Sequence, residues 1–345
     1  MARLKARRLN RSGDASKYLT VLIWAILALG IIFLIWAQNN LLTVYDTVYK
    51  VGDLPKSLVG YKIVHISDMN NSTVQVVGKV EKLKPDVIIL SGGYKDANGK
   101  ADNSIEQIKK LTEIAPVYYV YNIEDGTDDI LASTGATNLT DGSIVVEPKE
   151  KDVDTFIKDN YGDKILSKAK DGDKDAKKYV EYVTEALKKT KGAKIRITGL
   201  NTYDYENGKY DALKKINEMT EKGRMDYEIV IAGNAKISPE VSKANINAIF
   251  SGGSYGTNYI SDTYKKGSYG MNDTQFFLSG GVGKHKGVTR IFNFPEIQCI
   301  TLSDGTIEDE NPLEELLGIF FKDVGTIYDN DGGFESYKYE YEATK

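Results

Sequence analysis

The sequence predicts a layered α/β domain behind an N-terminal apolar helix, and three observations lead there. Short β-branched or aromatic runs recur along the chain: "YKIVHISD", "PDVIILSGG", "APVYYVYN", "AKIRITGLN", "YEIVIAGN", "NAIFSGG" and "TQFFLSGG". Helical stretches such as "TVQVVGKVEKLK" and "NSIEQIKKLTEI" lie between several of them, the alternation expected of βαβ units. Each run also ends in Ser, Gly, Asn or Asp. Near-continuous apolar runs suit strands covered on both faces. In such sheets ligands bind beyond the carboxyl ends of the strands, so the strand-end residues are the ones to test for chemistry.

The apolar segment comes first. "YLTVLIWAILALGIIFLIWA", residues 18–37, carries no charge and at about 1.5 Å per residue covers the roughly 30 Å of a bilayer core. Tyr18 and Trp36 lie near its ends, as interfacial aromatics do; Trp24 does not fit a belt. Residues 1–17 hold six basic side chains and one acid, net +5, while the whole chain is −4. By the positive-inside rule the expectation is a cytoplasmic N-terminus, one span, and a main domain outside the cytoplasmic membrane. A cleaved signal peptide is the competing reading; the run is longer than the usual apolar region of such peptides and no small-x-small site follows closely. Beside a span, the basic tail holds topology and touches anionic lipid, and the acidic remainder argues against a nucleic-acid partner.

Residues 38–60 are expected to form a linker and residues 61–304 the main domain. Within it, about 150–192 ("DTFIKDNYGDKILSKAKDGDKDAKKYVEYVTEALKKTKG") reads as a charged helical insertion, either a solvated cap or a lid or partner-binding element. From 305 to 345 the chain is acidic and tyrosine-rich, with one short amphipathic segment, "PLEELLGIFF"; little order is expected after Asp329.

At 41% hydrophobic and 27% charged the chain has an ordinary globular balance, which excludes disorder throughout. Its single cysteine, Cys299, lies in a strand-like alternation and reads as a buried small hydrophobe; no internal disulfide is possible. Only two histidines, His65 and His285, are present, which disfavours a histidine-rich metal site. His65, inside an apolar run, reads as a core residue, whereas Lys284 and His285 read as exposed. Asp171, Asp173 and Asp175 have calcium-loop spacing, but Ala176 and Tyr182 stand where the loop needs glycine and glutamate, so a charged helix start is expected. "SGGVGKHKG" lacks the phosphate-loop spacing and its Ser or Thr. No nucleophile elbow or Cys–His pair is present.

Taken in order, the strand ends resemble those of the calcineurin-like metallophosphoesterases, specifically their membrane-anchored bacterial branch, over about residues 50–304. The family's strand ends read Asp-Leu-His, Gly-Asp, Gly-Asn-His-Glu or Asp, a single His, and Gly-His-Thr-His-Gly-Gly-Gln. The closing segment "SGGVGKHKGVTRIFNFPEIQCITL", a Gly-rich turn, then Arg, Asn-x-Pro-Glu and a last strand, is the most specific match. The resemblance implies a four-layer αββα sandwich and a phosphoric-ester hydrolase using two metals. Carried over, it also implies that most of the site is missing. Asp68 keeps the first metal carboxylate, and Asp96 a secondary acid. Asn70 replaces a histidine, Gly93 the bridging aspartate, Ile123 the asparagine ligand and Glu124 the catalytic histidine. Gly233 replaces the single histidine, and Gly253 and Tyr255 the last two.

Two divalent cations some 3.5–4 Å apart repel each other, and only a bridging carboxylate with several further ligands holds them there. Glycine has no ligand to give. The expectation is therefore a pseudoenzyme with no cofactor, or at most one weakly bound hard cation on Asp68, Asn70 and Glu124. It would bind or scaffold an envelope protein whose identity the sequence leaves open. The alternative is an active hydrolase of a nucleotide, lipid-linked or envelope phosphate. For Asp68 a structural role is open as well, in a loop or as an N-terminal cap ahead of the "TVQVVGKVEKLK" helix, where a short acid accepts backbone N–H bonds, and Tyr255 is expected to fill the space left by the histidines.

Overall fold

The computed structural model describes residues 3–121, 130–221, 223–253, 266–284, 290 and 293–305. It is an α/β protein with two mixed sheets and a long apolar N-terminal helix, α1 (Arg3–Asn40). The stretch Lys17–Asn40 is long and apolar enough to cross a membrane by length and composition, and its apolar side chains as far as Trp36 are exposed. Helix α1 also runs through most of the basic segment that precedes the apolar run.

Among the described residues each sheet has six strands. The first comprises, in spatial order, β1 (Thr43–Lys50), β12 (Glu296–Ser303), β2 (Lys62–Ser67), β3 (Val87–Ser91), β4 (Val117–Tyr119) and β5 (Thr137–Asn138). β2 to β5 are mutually parallel, β12 is antiparallel to β2, and β1 is parallel to β12. The second is ordered β10 (Gly267–Met271), β11 (Thr274–Leu278), β9 (Ala248–Ser251), β8 (Tyr227–Ala232), β7 (Ile195–Leu200) and β6 (Ser143–Val146), with four parallel strands between antiparallel edges.

Successive side chains of a strand point to opposite faces, and the central strands bury both. Ile63 of β2, Val87 and Ile89 of β3, Ile229 and Ile231 of β8, and Ala248 and Phe250 of β9 share one core. Their neighbours Val64, Ile66, Ile88 and Leu90 join a second core with Val80 of α2 (Val77–Leu83) and Ile108 and Leu111 of α3 (Asp102–Thr112). Val230 and Ile249 join a third with Ala212 and Ile216 of α8 (Ala212–Thr220) and Val241 of α9 (Ser238–Val241). Burial on both faces is why these segments read as unbroken apolar runs. Cys299 of β12 lies in the second core, its thiol pushed up to about 12 by burial, as a small hydrophobe would sit.

Three expectations change. Residues 38–60, expected as a linker, contain β1, all eight residues of which pair with β12. A half-exposed edge strand carries polar residues and lacks the doubly apolar signature. The helix expected from Thr73 begins at Val77, because Val74 and Val76 are drawn into the second core and the Val76 amide donates to Gln107 Oε1 (2.9 Å). Finally, the 150–192 region forms α4 (Val153–Tyr161), α5 (Asp163–Lys170) and α6 (Lys174–Lys189), but does not cover the strand ends expected to carry chemistry. Phe156, Ile157 and Val183 plug the inter-sheet core beside Leu54 and Leu58, and Ser57, ahead of β2, bonds Thr190, ahead of β7 (2.7 and 3.0 Å). The insertion thus seals the amino ends of the strands, which rules out a lid over Asp68 at the opposite end. Asp173 caps α6, accepting from the amides of Asp175 and Ala176 (both 2.9 Å), as expected of a charged helix start. The acidic tail, including "PLEELLGIFF" and the chain beyond Asp329, lies outside the described residues.

Candidate functional site

Five strand ends converge on one carboxylate. Asp68 follows β2, Gly92 and Gly93 follow β3, Gly233 follows β8, Gly252 and Gly253 follow β9, and the 280–283 turn follows β11. Asp68 is fully buried in a left-handed backbone conformation, φ 48°. Gly253 N donates to both of its oxygens (Oδ2 2.9 Å, Oδ1 3.1 Å), Gly93 N to Oδ1 (3.3 Å) and the Ser67 hydroxyl to Oδ2 (3.1 Å). Its backbone is held as well: Asp68 N donates to Ser91 O (2.9 Å), and Gly283 N donates to Asp68 O (2.7 Å). One acidic side chain therefore joins the two sheets.

The glycines of the repeated "SGG" are needed here for close approach rather than for an open pocket. A Cβ on Gly92, whose φ is 81°, would overlap Asp68 Oδ1. One on Gly252 would lie 2.7 Å from Ser67 Cβ, and one on Gly281 2.9 Å from Asp68 Cβ. Backbone fills the space next to the carboxylate, where ligand side chains would have to project.

Burial pushes Asp68 up to about 6, opposed by the amides of Gly253 and Gly93, the Ser67 hydroxyl and the Arg290 charge. Arg290, also buried, is lowered to about 10 by desolvation, opposed by Glu296 and Asp68. Its Nη2 donates to the carbonyls of Gly281 (2.8 Å) and Gly283, and its Nη1 to Phe294 O (3.2 Å). The guanidinium thus clamps the glycine turn that covers Asp68. Glu296 accepts from Gly280 N and from Lys266 Nζ (both 2.8 Å), fixing the other side of that turn.

His65 is a core residue, as expected. Its Nε2 lies 2.8 Å from Ser91 Oγ and its Nδ1 3.0 Å from Gln298 Oε1, with the ring edge-on to Phe250. Gln298 Nε2 donates to Leu278 O (3.1 Å), which leaves Oε1 to accept from a proton on Nδ1. Burial lowers His65 to about 4, so the neutral ring is the resident form.

The predicted site residues divide accordingly. Asp68, Gly93, Gly233 and Gly253 meet: Gly253 packs with its Cβ position 3.0 Å from Gly233 O. Asn70 N donates to Gly93 O (3.1 Å), but its side-chain amide turns to Lys284 O (3.4 Å). Asp96 is set apart in its own turn, accepting from the Asn98 and Lys100 amides and the Asn71 side chain, and is lowered chiefly by that last bond. Ile123, Glu124, Tyr255 and His285 lie outside the described residues, and with them the packing expected of Tyr255. Of the structural roles expected for Asp68, the loop acid that accepts backbone N–H bonds is the one seen, and the helix cap is incorrect: the residue ahead of α2 is Val76, which makes no side-chain cap, and the Asp68 oxygens are turned to the other sheet. Sequence reasoning missed the clamping role of Arg290, whose only signal was its place in the closing segment.

A metal pair does not fit the described residues around Asp68. The groups around Asp68 are N–H and O–H donors, which occupy the lone pairs a cation would take. Among the described residues no group of three or more His, Cys, Asp or Glu side chains is placed to hold a metal ion. No protein-family model matches the chain, and a search of curated proteins finds no match.

Proposed function

We propose that the chain is a membrane-anchored, metallophosphoesterase-like protein that has lost hydrolytic chemistry and serves as a binding or scaffolding module at the cell envelope. In this reading α1 is an uncleaved single-pass anchor with its basic end in the cytoplasm, and the three shared cores make a four-layer αββα sandwich outside. The observation that carries it is the bonding of Asp68. The amides of Gly93 and Gly253, at the two positions where the resemblance calls for the bridging aspartate and a histidine, donate to the one carboxylate that is left. A carboxylate satisfied by backbone is a structural tie, and glycine neighbours supply nothing to replace the missing ligands.

The test is a metal-dependent assay of the folded, detergent-solubilised chain against generic phosphodiesters with Mn²⁺, alongside elemental analysis. We expect no turnover. Two metals per chain, with turnover abolished by Asp68→Ala, would establish the hydrolase instead. Crosslinking in intact membranes followed by mass spectrometry then identifies the partner.

A further inference from the structure

The junction between α1 and the domain fixes which end of the sheets faces the membrane. β1 is parallel to β12 (Thr43 opposite Glu296) and β12 is antiparallel to β2 (Gln298 opposite His65). The start of β1 therefore lies at the end where β2 finishes, beside Asp68. Only Leu41 and Leu42 separate α1 from β1. Thr43 donates through its amide (2.8 Å) and its hydroxyl (3.0 Å) to Pro295 O. Asn39, still on α1, exchanges hydrogen bonds with the backbone of Arg290: Arg290 N to Oδ1 (3.1 Å) and Nδ2 to Arg290 O (3.4 Å). Ala37, Gln38 and Asn39 are buried while Trp36 is 53% exposed, so the apolar stretch gives way to domain contact within one residue.

The spacing is short on the scale of a bilayer. At about 1.5 Å per residue, Asn39 stands roughly 3 Å beyond residue 37, the end of the apolar run. The headgroup layer on each side of the hydrocarbon core is about 5–8 Å deep. Arg290 and the glycine turn it clamps thus start inside that layer, while six residues of β2 carry the opposite end about 20 Å further away.

We propose that the carboxyl-end rim of the two sheets, centred on Arg290 and the 280–284 turn, is seated on the bilayer that carries α1, so that its neighbour is the phospholipid headgroup layer. The inference rests on the reading of α1 as a membrane span. Lys284, exposed on that turn, presents an ammonium group to the headgroup phosphates. The helical insertion, at the other end, faces the aqueous envelope, and a soluble partner meets it first.

Full-length chain in phosphatidylethanolamine–phosphatidylglycerol vesicles with a headgroup-linked acceptor dye tests this. A donor dye is attached to Lys284→Cys, Thr73→Cys or Ser167→Cys, all exposed positions, the first two on the rim and the third on α5. Cys299 stays in place, buried and unreactive, and unsubstituted protein is the labelling control. Energy transfer severalfold higher from positions 73 and 284 than from 167 is the expected result. Equal transfer, or stronger transfer from 167, in protein that floats with the vesicles overturns the seating alone. Protein that fails to float overturns the span reading, and the seating with it.

Discussion

The two ends of the sheets are closed by different means. At the carboxyl end, backbone does the work: glycines from several loops press against Asp68 and its chain neighbours, and the amides of Gly93 and Gly253 meet the Asp68 carboxylate beneath the Arg290 clamp. At the amino end, side chains do it. Phe156, Ile157 and Val183 fill the gap between the sheets, and Tyr161 packs edge-on against Phe156 and Tyr179. Lys56 lies over the Tyr161 ring and pairs with Asp304 at 2.9 Å. A seal made of backbone tolerates no added atom, whereas one made of side chains loses stability in proportion to what is removed.

The largest effect should come from adding one carbon at the backbone end. Gly92→Ala puts a methyl group on a left-handed residue and into Asp68 Oδ1, and we expect a loss of about 3–5 kcal/mol by urea unfolding. The same change in an Asp68→Ala background should cost markedly less than it does alone; additive costs would mean that Asp68 is not what Gly92 packs against. At the other end, Phe156→Ala should cost about 3–4 kcal/mol. The insertion should become protease-sensitive while the Asp68 end keeps its hydrogen-exchange protection.

A subtler contrast lies in two buried titrating groups near the backbone end. Asp68 sits at about 6 in the fold against an ordinary 3.8, so the folded chain holds a proton across that window that the unfolded chain releases. Its contribution to stability is present at the acid end and is lost, by about 3 kcal/mol, as pH rises through 6. His65 sits at about 4 against 6.5, so its contribution has the opposite slope and is lost as pH falls over nearly the same range. In wild type the two offset each other. Asp68→Asn should expose the His65 slope, giving a chain whose stability falls by about 2 kcal/mol more than wild type between pH 7 and pH 4. Parallel pH profiles for the two proteins would show that Asp68 does not titrate in this window. The smallest effect is at the insertion surface: Asp173→Ala removes the α6 cap and should lower the urea midpoint by less than any change above, with no change at the Asp68 end.

Much of the central architecture was legible in advance. The runs around Ile63, Ile89, Ile197, Ile231 and Phe250 became doubly buried strands, and the helix-rich character of residues 150–192 came through as α4 to α6. Edge strands escaped notice. β1, TVYDTVYK, keeps neither a strict polar–apolar alternation nor an unbroken apolar run, and β5 is only two residues long, so neither carries a local pattern strong enough to read. Within the site, Asp68, Gly93 and Gly253 were singled out by their places at strand ends, yet no spacing could show that the last two donate to the first.

By itself, the sequence determined the apolar helix, the central strands and the scarcity of histidine and cysteine, because each is a matter of residue type and short-range pattern. Tertiary structure decided the rest. It turned Asp68 from a possible helix cap into a tie between sheets, made the glycines its packing surface, and put the insertion at the far end from both. The deciding contacts join residues as far apart as Asp68 and Gly253, separated by 185 positions. Hydrogen bonds over such a separation exist only once the strands have paired, and local sequence has no means of encoding their distance.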